Sequence, residues 1–184
     1  MKLAPNLILV GPMGAGKSCI GRHLATRAGL HLVDLDHEIE RRAGTSINAI
    51  FEHEGEAGFR RREHLALADL LAADGPADSL LLATGGGVVL DAGNRRLLRE
   101  HGFVVHLHAE PATQLARLAG DTSRPLLQRD DPGAVLRELA GQRAPLYAEV
   151  ADLRFATDGL DTAEAAALLA AQLRLHWWRR GVPA

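Results

Sequence analysis

GPMGAGKS, residues 11–18, matches the pattern G-x-x-x-x-G-K-[ST] at every defined position. An apolar run that ends in glycine, NLILVG (6–11), comes immediately before it and is typical of a buried strand. A helical pattern follows from Lys17 to Ala28, with Gly29 at the position where many helices end. A strand, a glycine-rich loop and a helix in this order predict a loop that binds phosphate.

The chemistry of phosphate binding explains the residue types in this segment. Small residues let backbone N–H groups face phosphates, and the N-terminus of a helix adds favourable partial charge. We expect Lys17 to reach the β- and γ-phosphates and the hydroxyl of Ser18 to ligate Mg²⁺. Cys19 is interpreted as a small, partly buried residue whose backbone N–H contacts phosphate. The sequence therefore predicts a nucleoside triphosphate site that contains Gly14, Ala15, Gly16, Lys17, Ser18 and Cys19.

Four further apolar segments alternate with helical patterns along the chain. The additional predicted strands are LHLVDLD (30–36), SLLLAT (79–84), FVVHLH (103–108) and LRFAT (153–157). Predicted helices begin after Asp91, Asp131 and Asp161, each of which can act as an N-cap. Breaks in the helical pattern are expected near Gly44 and Gly55. Strands that alternate with helices predict a mostly parallel, three-layer α/β fold.

Composition restricts the class of protein. The chain has 184 residues, of which 47% are hydrophobic, so we expect one domain spanning residues 1–184. A net charge of -2 gives no electrostatic reason to expect a nucleic-acid partner. The single cysteine, Cys19, excludes an internal disulfide and suits a reducing cytosol. No basic-then-apolar leader and no apolar run of 18 residues is present, so we expect a cytoplasmic protein with no membrane partner.

Two carboxylates interrupt the second apolar segment. Residues two apart on a strand share a face, so Asp34 and Asp36 are predicted to point the same way. The chain carries no N/T-K-x-D segment for reading guanine, and none of its predicted strands ends as an ordinary Walker B strand does, in four apolar residues followed by an aspartate. An aspartate at the tip of a neighbouring strand can organise the Mg²⁺ shell instead. Asp34 is therefore the metal candidate, and Asp36 is left to face the acceptor of the phosphate.

Several short motifs together resemble those of one known family. They are GPMGAGKS, the D-L-D pair at 34–36, GFRRRE (58–63), ATGGG (83–87), RPLL (124–127), and APLY (144–147) preceded by Arg143. In this order and spacing they resemble shikimate kinases, and the resemblance runs from about residue 6 to residue 165. It implies the nucleoside-monophosphate-kinase-like P-loop kinase fold, with a five-stranded parallel sheet flanked by helices. It also implies a substrate-binding helical segment at 36–63 and a lid at 119–133, whereas residues 176–184 lie beyond the family pattern and have no assigned role.

The same resemblance implies an activity and its participants. Shikimate kinases transfer the γ-phosphate of ATP to the 3-hydroxyl of shikimate, which gives shikimate 3-phosphate and ADP in aromatic amino acid biosynthesis. The implied partners are ATP, Mg²⁺ and shikimate, and we expect the protein to be a monomer. Asp34 would help organise the metal with Ser18, and Asp36 would contact the accepting hydroxyl as a catalytic group.

The remaining implied roles belong to arginines and glycines. Arg60 and Arg143 would grip the carboxylate of shikimate, and the backbone of Gly85, Gly86 and Gly87 would approach its ring. Arg124 in the lid would swing onto the phosphates and act with Lys17 in catalysis, and Arg117 would lie against adenine.

Other interpretations of these residues remain open. The chain could be another small-metabolite kinase of this fold, such as a gluconate or nucleotide kinase, or a P-loop module that binds ATP without catalysis. Arg60 and Glu63 could be a simple i, i+3 surface pair. His106 and His108 are interpreted as ordinary polar or core residues, since no third ligand suggests zinc. The indoles at 177–178 are expected to fold back onto the domain from a terminal helix, with fraying after Gly181.

Overall fold

Short strands joined by helices make up the structure. The computed structural model describes residues 2–72, 80–120 and 131–179. Its strands are β1 (Lys2–Ala4), β2 (Asn6–Val10), β3 (His31–Asp34), β4 (Leu80–Ala83), β5 (Gly102–His108), β6 (Leu153–Ala156) and β7 (Trp177–Arg179). Its α-helices are α1 (Lys17–Ala28), α2 (Leu35–Ala43), α3 (Ile47–Ala72), α4 (Ala92–His101), α5 (Pro111–Arg117), α6 (Pro132–Val150) and α7 (Thr162–His176), with a 3-10 turn at Val88–Leu90. The predicted alternation of strand and helix is confirmed over these residues.

Five of the strands form one parallel sheet in the order β3-β4-β2-β5-β6. The central strand is β2, in which Leu9 lies opposite Ala83 of β4 and Val105 of β5. A parallel sheet covered on both faces has continuous apolar strands, and residues 7–10 are fully buried. The three-layer α/β fold with a five-stranded parallel sheet is therefore confirmed.

The two faces of the sheet have separate hydrophobic cores. Leu9 belongs to the cluster under α1 and α7, together with Leu24 and Leu169. Ile8, one residue earlier, belongs to the cluster under α2, α3, α4 and α6, together with Leu67. Successive side chains on a strand point to opposite faces, so β2 anchors both layers and fixes the position of the loop that follows it.

The loop after β2 passes directly into α1. Gly16 adopts a left-handed conformation with φ 89° immediately before the first helical residue, Lys17. Residues with a Cβ rarely adopt this conformation, so the glycine required by the motif is also required by the backbone. The helix runs from Lys17 to Ala28 and ends at Gly29, as predicted.

The second strand is shorter than predicted. The sequence indicates an extended segment at 30–36, whereas β3 ends at Asp34 and α2 begins at Leu35. The carboxylate of Asp34 caps α2 by accepting the backbone N–H groups of Asp36 (3.1 Å) and His37 (3.4 Å). Aspartate is a strong N-cap, and this local hydrogen bonding competes with an extended strand. The prediction that Asp34 and Asp36 share one strand face is therefore wrong.

The long helix α3 changes direction at Gly55. This residue has φ 66° and ψ -176°, which is not helical, and the break predicted there is confirmed. The arm of α3 beyond the break buries Phe59, Glu63 and Leu67. Residues on both sides of the break, Ile50 and Phe59 among them, pack into the same hydrophobic cluster as Ile8.

The two ends of the described chain pair with each other. Strands β1 and β7 form a separate two-stranded parallel sheet, which the sequence analysis did not predict. The indole of Trp177 donates to the carbonyl oxygen of Ala4 at 3.0 Å, and its ring lies 6.4 Å from that of Phe103. This indole does fold back onto the protein, but from a strand rather than from a helix.

Some predictions fall outside the described residues. They concern most of the lid, including Arg124, and the chain beyond Arg179. Within the described ranges, none of the helices has the length and apolar character needed to cross a membrane.

Candidate active site

The predicted phosphate loop lies at the carboxyl end of β2, the edge at which parallel α/β sheets bind ligands. The ammonium group of Lys17 donates to the carbonyl oxygens of Gly11 (2.7 Å) and Pro12 (2.8 Å). A Cβ on Gly11 would collide with the carbonyl oxygen of Leu107, so the loop begins in direct contact with β5. Ala15, a residue of the loop itself, is fully buried. The loop is thus held rigidly at one side of a cleft of about 500 Å³.

The cleft brings together most of the predicted donor-side residues and part of the acceptor side. The predicted residues that line it are Gly14, Gly16, Lys17, Ser18, Cys19, Asp34, Asp36, Gly85, Gly86 and Arg117. Cys19 is exposed, so the prediction that it is partly buried is wrong. It lies on the outward side of the first turn of α1, whereas the next residue, Ile20, packs into the core.

Ser18 and Asp34 bring two side-chain oxygens together beside the loop. The hydroxyl of Ser18 donates to one carboxylate oxygen of Asp34 at 2.5 Å, and the other carboxylate oxygen caps α2. Hydroxyl and carboxylate oxygens suit Mg²⁺, which keeps several waters and binds through substrate phosphates. Over the described ranges no group of three or more His, Cys, Asp or Glu side chains could hold a metal ion. The pair therefore fits an ion whose remaining ligands are water and phosphate.

The three glycines after β4 each lie beside one predicted acceptor-side residue. A Cβ on Gly85 would lie 2.7 Å from a carboxylate oxygen of Asp36, and a Cβ on Gly86 would lie 3.5 Å from Nη1 of Arg143. A Cβ on Gly87 would fall within the guanidinium of Arg60. The absence of side chains at Gly85 and Gly87 leaves room for the carboxylate of Asp36 and the guanidinium of Arg60, whereas a Cβ on Gly86 would make only ordinary contact with Arg143.

Arg60 connects a buried carboxylate, that of Glu63, with an exposed one, that of Glu56. Its Nη1 atom donates to Glu63 at 2.8 Å, and the side chain of Glu63 is 0% exposed. Burial raises the pKa of Glu63, and the positive charge of Arg60 opposes that rise. The guanidinium also lies 5.1 Å from the ring centre of Phe59, which stacks on Phe51 at 4.8 Å. Arg60 and Glu63 do form the i, i+3 pair of the alternative interpretation, but the carboxylate of Glu63 is buried, so the pair is not an ordinary solvated one.

Arg143 and Tyr147 meet the middle glycine from α6. Arg143 is only 8% exposed, and its Nη1 atom donates to the carbonyl oxygen of Gly86 at 3.1 Å. The hydroxyl of Tyr147 donates to the same oxygen at 2.6 Å. Burial raises the pKa of Tyr147 to about 12, so its hydroxyl stays protonated at neutral pH and can donate a hydrogen bond.

Arg117 joins two sides of the cleft. Its guanidinium donates to the carbonyl oxygen of Gly14 (3.1 Å), to the hydroxyl of Thr157 (2.9 Å), and to the carbonyl oxygens of Thr157 (2.6 Å) and Leu160 (3.4 Å). Thr157 is 1% exposed, and its hydroxyl donates to the carbonyl oxygen of His108 at 3.1 Å. The phosphate loop is thus tied to the segment that follows β6.

The two histidines on β5 lie next to this network. The His106 ring stacks on Tyr147 at 4.7 Å and meets His108 edge to face at 5.7 Å. Burial lowers the pKa of His106 to about 4, and the charges of Arg154 and Lys17 act in the same direction. His106 is therefore a neutral, buried ring at neutral pH.

Sequence reasoning did not identify three of these residues as part of the site. Glu63 and Tyr147 follow Arg60 and Arg143 by three and four positions, so each faces its arginine on one side of a helix. That spacing was a signal that could have found them. Thr157 stands at the end of the last predicted strand, where only the position along the sheet edge would have indicated a role.

The fold and the phosphate loop define a P-loop kinase of the α/β class. A family model described as shikimate kinase matches residues 13–174. A shikimate kinase of Xanthomonas campestris pv. campestris (strain 8004) is 54% identical over 184 residues, which are 100% of both chains. The chain belongs to the shikimate kinase family.

Comparison with solved structures agrees with the sequence relatives. A shikimate kinase from Acinetobacter baumannii in complex with shikimate has a TM-score of 0.87 and 46% identity, and the match covers 94% of this chain and 93% of that one. A gluconokinase from Sinorhizobium meliloti 1021 has a TM-score of 0.55 and 16% identity, which is a likeness of fold alone.

Proposed function

We propose that this chain transfers the γ-phosphate of ATP to the 3-hydroxyl of shikimate, with Mg²⁺, to give shikimate 3-phosphate and ADP. The observation that carries the proposal is the convergence of Asp36, Arg143 and Arg60 on Gly85–Gly87, next to the phosphate loop. Two guanidinium groups suit a carboxylate, which they recognise through paired hydrogen bonds. A carboxylate beside them suits an alcohol that must lose a proton.

On the donor side, the residues act mainly by holding charge in place. The loop at Gly14–Gly16 and the backbone at Cys19 would bind the phosphates, and Lys17 would exchange its carbonyl partners for phosphate oxygens. Ser18 and Asp34 would hold Mg²⁺, which supplies positive charge to the β- and γ-phosphates. Arg117 would lie against adenine while its hydrogen bonds keep the loop and the segment after β6 together.

On the acceptor side, Asp36 would orient the hydroxyl and take its proton late in a loose transition state. Arg60 and Arg143 would fix the carboxylate, so that the reacting hydroxyl is aimed at the phosphate. We assign residues 36–63 to substrate binding and residues 119–133 to a lid that brings Arg124 onto the phosphates and excludes water. We also propose that the protein acts as a single-domain monomer in the cytoplasm.

The test is release of ADP, measured with shikimate, gluconate or nucleoside monophosphates as acceptor and with no acceptor. We expect release only with shikimate and only with Mg²⁺ present. Activity with gluconate alone would contradict the assigned acceptor. ADP release that does not depend on any acceptor would indicate a nucleotide-binding module.

Gly87→Ala is expected to raise KM for shikimate about ten-fold and to lower the unfolding temperature. The new methyl group would fall within the guanidinium of Arg60, and moving this group aside would weaken its ion pair with the buried carboxylate of Glu63. Steady-state kinetics and thermal unfolding measure the two effects. Gly141→Ala, at a helical site with no heavy atom within 4 Å of the new Cβ, is the matched control and should leave KM unchanged.

Thr157→Val is expected to raise KM for ATP about three- to ten-fold and to leave KM for shikimate within two-fold. The substitution keeps the shape of the buried side chain but removes the hydroxyl that binds Arg117. Thr157→Ser should restore most of the affinity for ATP, because it restores the hydroxyl. An unchanged KM for ATP in the valine variant would show that the hydrogen bond between Arg117 and Thr157 does not organise the nucleotide site.

A further inference from the structure

Tyr147 makes a short, buried contact that none of the roles above uses. Its side chain is 3% exposed, and its hydroxyl donates to the carbonyl oxygen of Gly86 at 2.6 Å. Its ring is fixed from one side by stacking on His106, at 4.7 Å between ring centres and an angle of 25°. The hydroxyl is therefore held in one place with little rotational freedom.

Gly86 lies where the donor and acceptor sides of the cleft meet. A Cβ at this residue would be 3.4 Å from the backbone nitrogen of Met13, 3.5 Å from the carbonyl oxygen of Gly11 and 3.5 Å from Nη1 of Arg143. Gly86 has no side chain with which to anchor itself. The hydrogen bonds to its carbonyl oxygen are therefore among the contacts that position its peptide group.

Two donors from one helix bind that oxygen. Arg143 and Tyr147 are four residues apart on α6, and each gives one hydrogen bond to Gly86, at 3.1 Å and 2.6 Å. One guanidinium nitrogen of Arg143 thus donates to Gly86, and this hydrogen bond orients the plane of the guanidinium. A guanidinium recognises a carboxylate best through two parallel hydrogen bonds, so this orientation decides how well it can bind one.

We propose that Tyr147 is a positioning residue for the acceptor. Its hydroxyl fixes the carbonyl of Gly86, and through that carbonyl it fixes the guanidinium of Arg143 in the orientation that receives the carboxylate of shikimate. This inference rests on the proposed function of the site. Tyr147 itself touches neither substrate.

A tyrosine that only filled space could be replaced by phenylalanine without consequence. Tyr147→Phe keeps the ring and its stacking on His106, and it removes only the hydroxyl. We expect kcat/KM for shikimate to fall about five- to ten-fold through KM, while KM for ATP and the unfolding temperature change little. Thr157→Val is the matched control, because it also deletes one buried hydroxyl at the cleft but should affect ATP instead.

A double-mutant cycle with Arg143 separates positioning from a general structural role. Arg143→Met keeps the buried stem of the side chain and removes the guanidinium. If Tyr147 acts through Arg143, Tyr147→Phe should lower kcat/KM for shikimate less than two-fold in the Arg143→Met background. Equal effects of Tyr147→Phe in the two backgrounds would overturn the inference.

Other results also decide the question. A wild-type-like KM for shikimate in Tyr147→Phe, with an active wild-type enzyme, would overturn this inference alone. An equal rise in KM for both substrates would show a general loss of structure and would also overturn it. A wild-type enzyme that does not phosphorylate shikimate would overturn the proposed function, and this inference with it.

Discussion

Asp36→Asn is expected to lower kcat for shikimate phosphorylation by about two to four orders of magnitude, the usual contribution of a positioned general base. The amide keeps the size of the side chain and can still hydrogen-bond the hydroxyl, but it cannot take the proton. The backbone N–H of residue 36 can still donate to the carboxylate of Asp34, so α2 should still begin at Leu35. Affinity for ATP, measured by calorimetry, should stay within two-fold.

Glu38→Gln is the matched control for this prediction. Glu38 is another carboxylate in the first turn of α2, but it pairs with Arg41 and Arg42 at 2.7 Å each instead of lining the cleft. Its kcat should stay within two-fold of wild type. A near-normal kcat in Asp36→Asn would remove Asp36 from the acceptor role.

Arg60→Ala is expected to raise KM for shikimate about 30-fold to 1,000-fold, which corresponds to about 2–4 kcal/mol of lost charge-assisted binding. It should also destabilise the fold by about 3–5 kcal/mol, because it leaves the buried carboxylate of Glu63 without its cation. Steady-state kinetics and denaturant unfolding measure these two effects separately.

The pH dependence of this loss follows from Glu63. Burial raises its pKa, so the folded state holds a proton that the unfolded chain gives up, and stability falls as the pH rises through that pKa. Without Arg60 the pKa should rise further, so Arg60→Ala should be less stable at pH 8 than at pH 5. The double variant Arg60→Ala/Glu63→Gln should lose this pH dependence and keep the high KM.

Arg62→Ala provides the comparison for the binding effect. Arg62 is two residues from Arg60 on α3, but it pairs with Glu54 at 2.7 Å, and its side chain is 42% exposed. Its removal should leave KM for shikimate within two-fold. A KM that is equally unaffected in Arg60→Ala would remove Arg60 from the binding of the carboxylate and leave it a structural partner of Glu63.

The sequence was most informative where one short pattern determines both backbone and chemistry. The loop at 11–18 needs glycine for its left-handed turn at Gly16 and small residues for phosphate, so the motif and the fold coincide. The helices that follow Asp91, Asp131 and Asp161 also begin where predicted, because each cap is a local hydrogen bond. Family motifs supplied the rest of the site as expectations.

The sequence was least informative where two local preferences compete or where distant segments meet. At 30–36 the apolar pattern favours a strand, but the capping strength of Asp34 ends it and starts α2. The pairing of β1 with β7 joins the two ends of the described chain, and no local pattern encodes such a contact. The burial of Glu63 likewise depends on how α3 packs against the rest of the protein, which no local pattern encodes.

The order of strands in the sheet has a consequence for synthesis on the ribosome. The strand that carries the phosphate loop, β2, is made early, yet its neighbours β4 and β5 come from residues 80–83 and 102–108. Non-local pairing of this kind forms only after the loop-closure entropy has been overcome. The nucleotide site therefore cannot mature until more than half of the chain has emerged. Since a ligand that binds only the native state stabilises it by mass action, ATP would act late in this process, as a ligand that secures the finished fold.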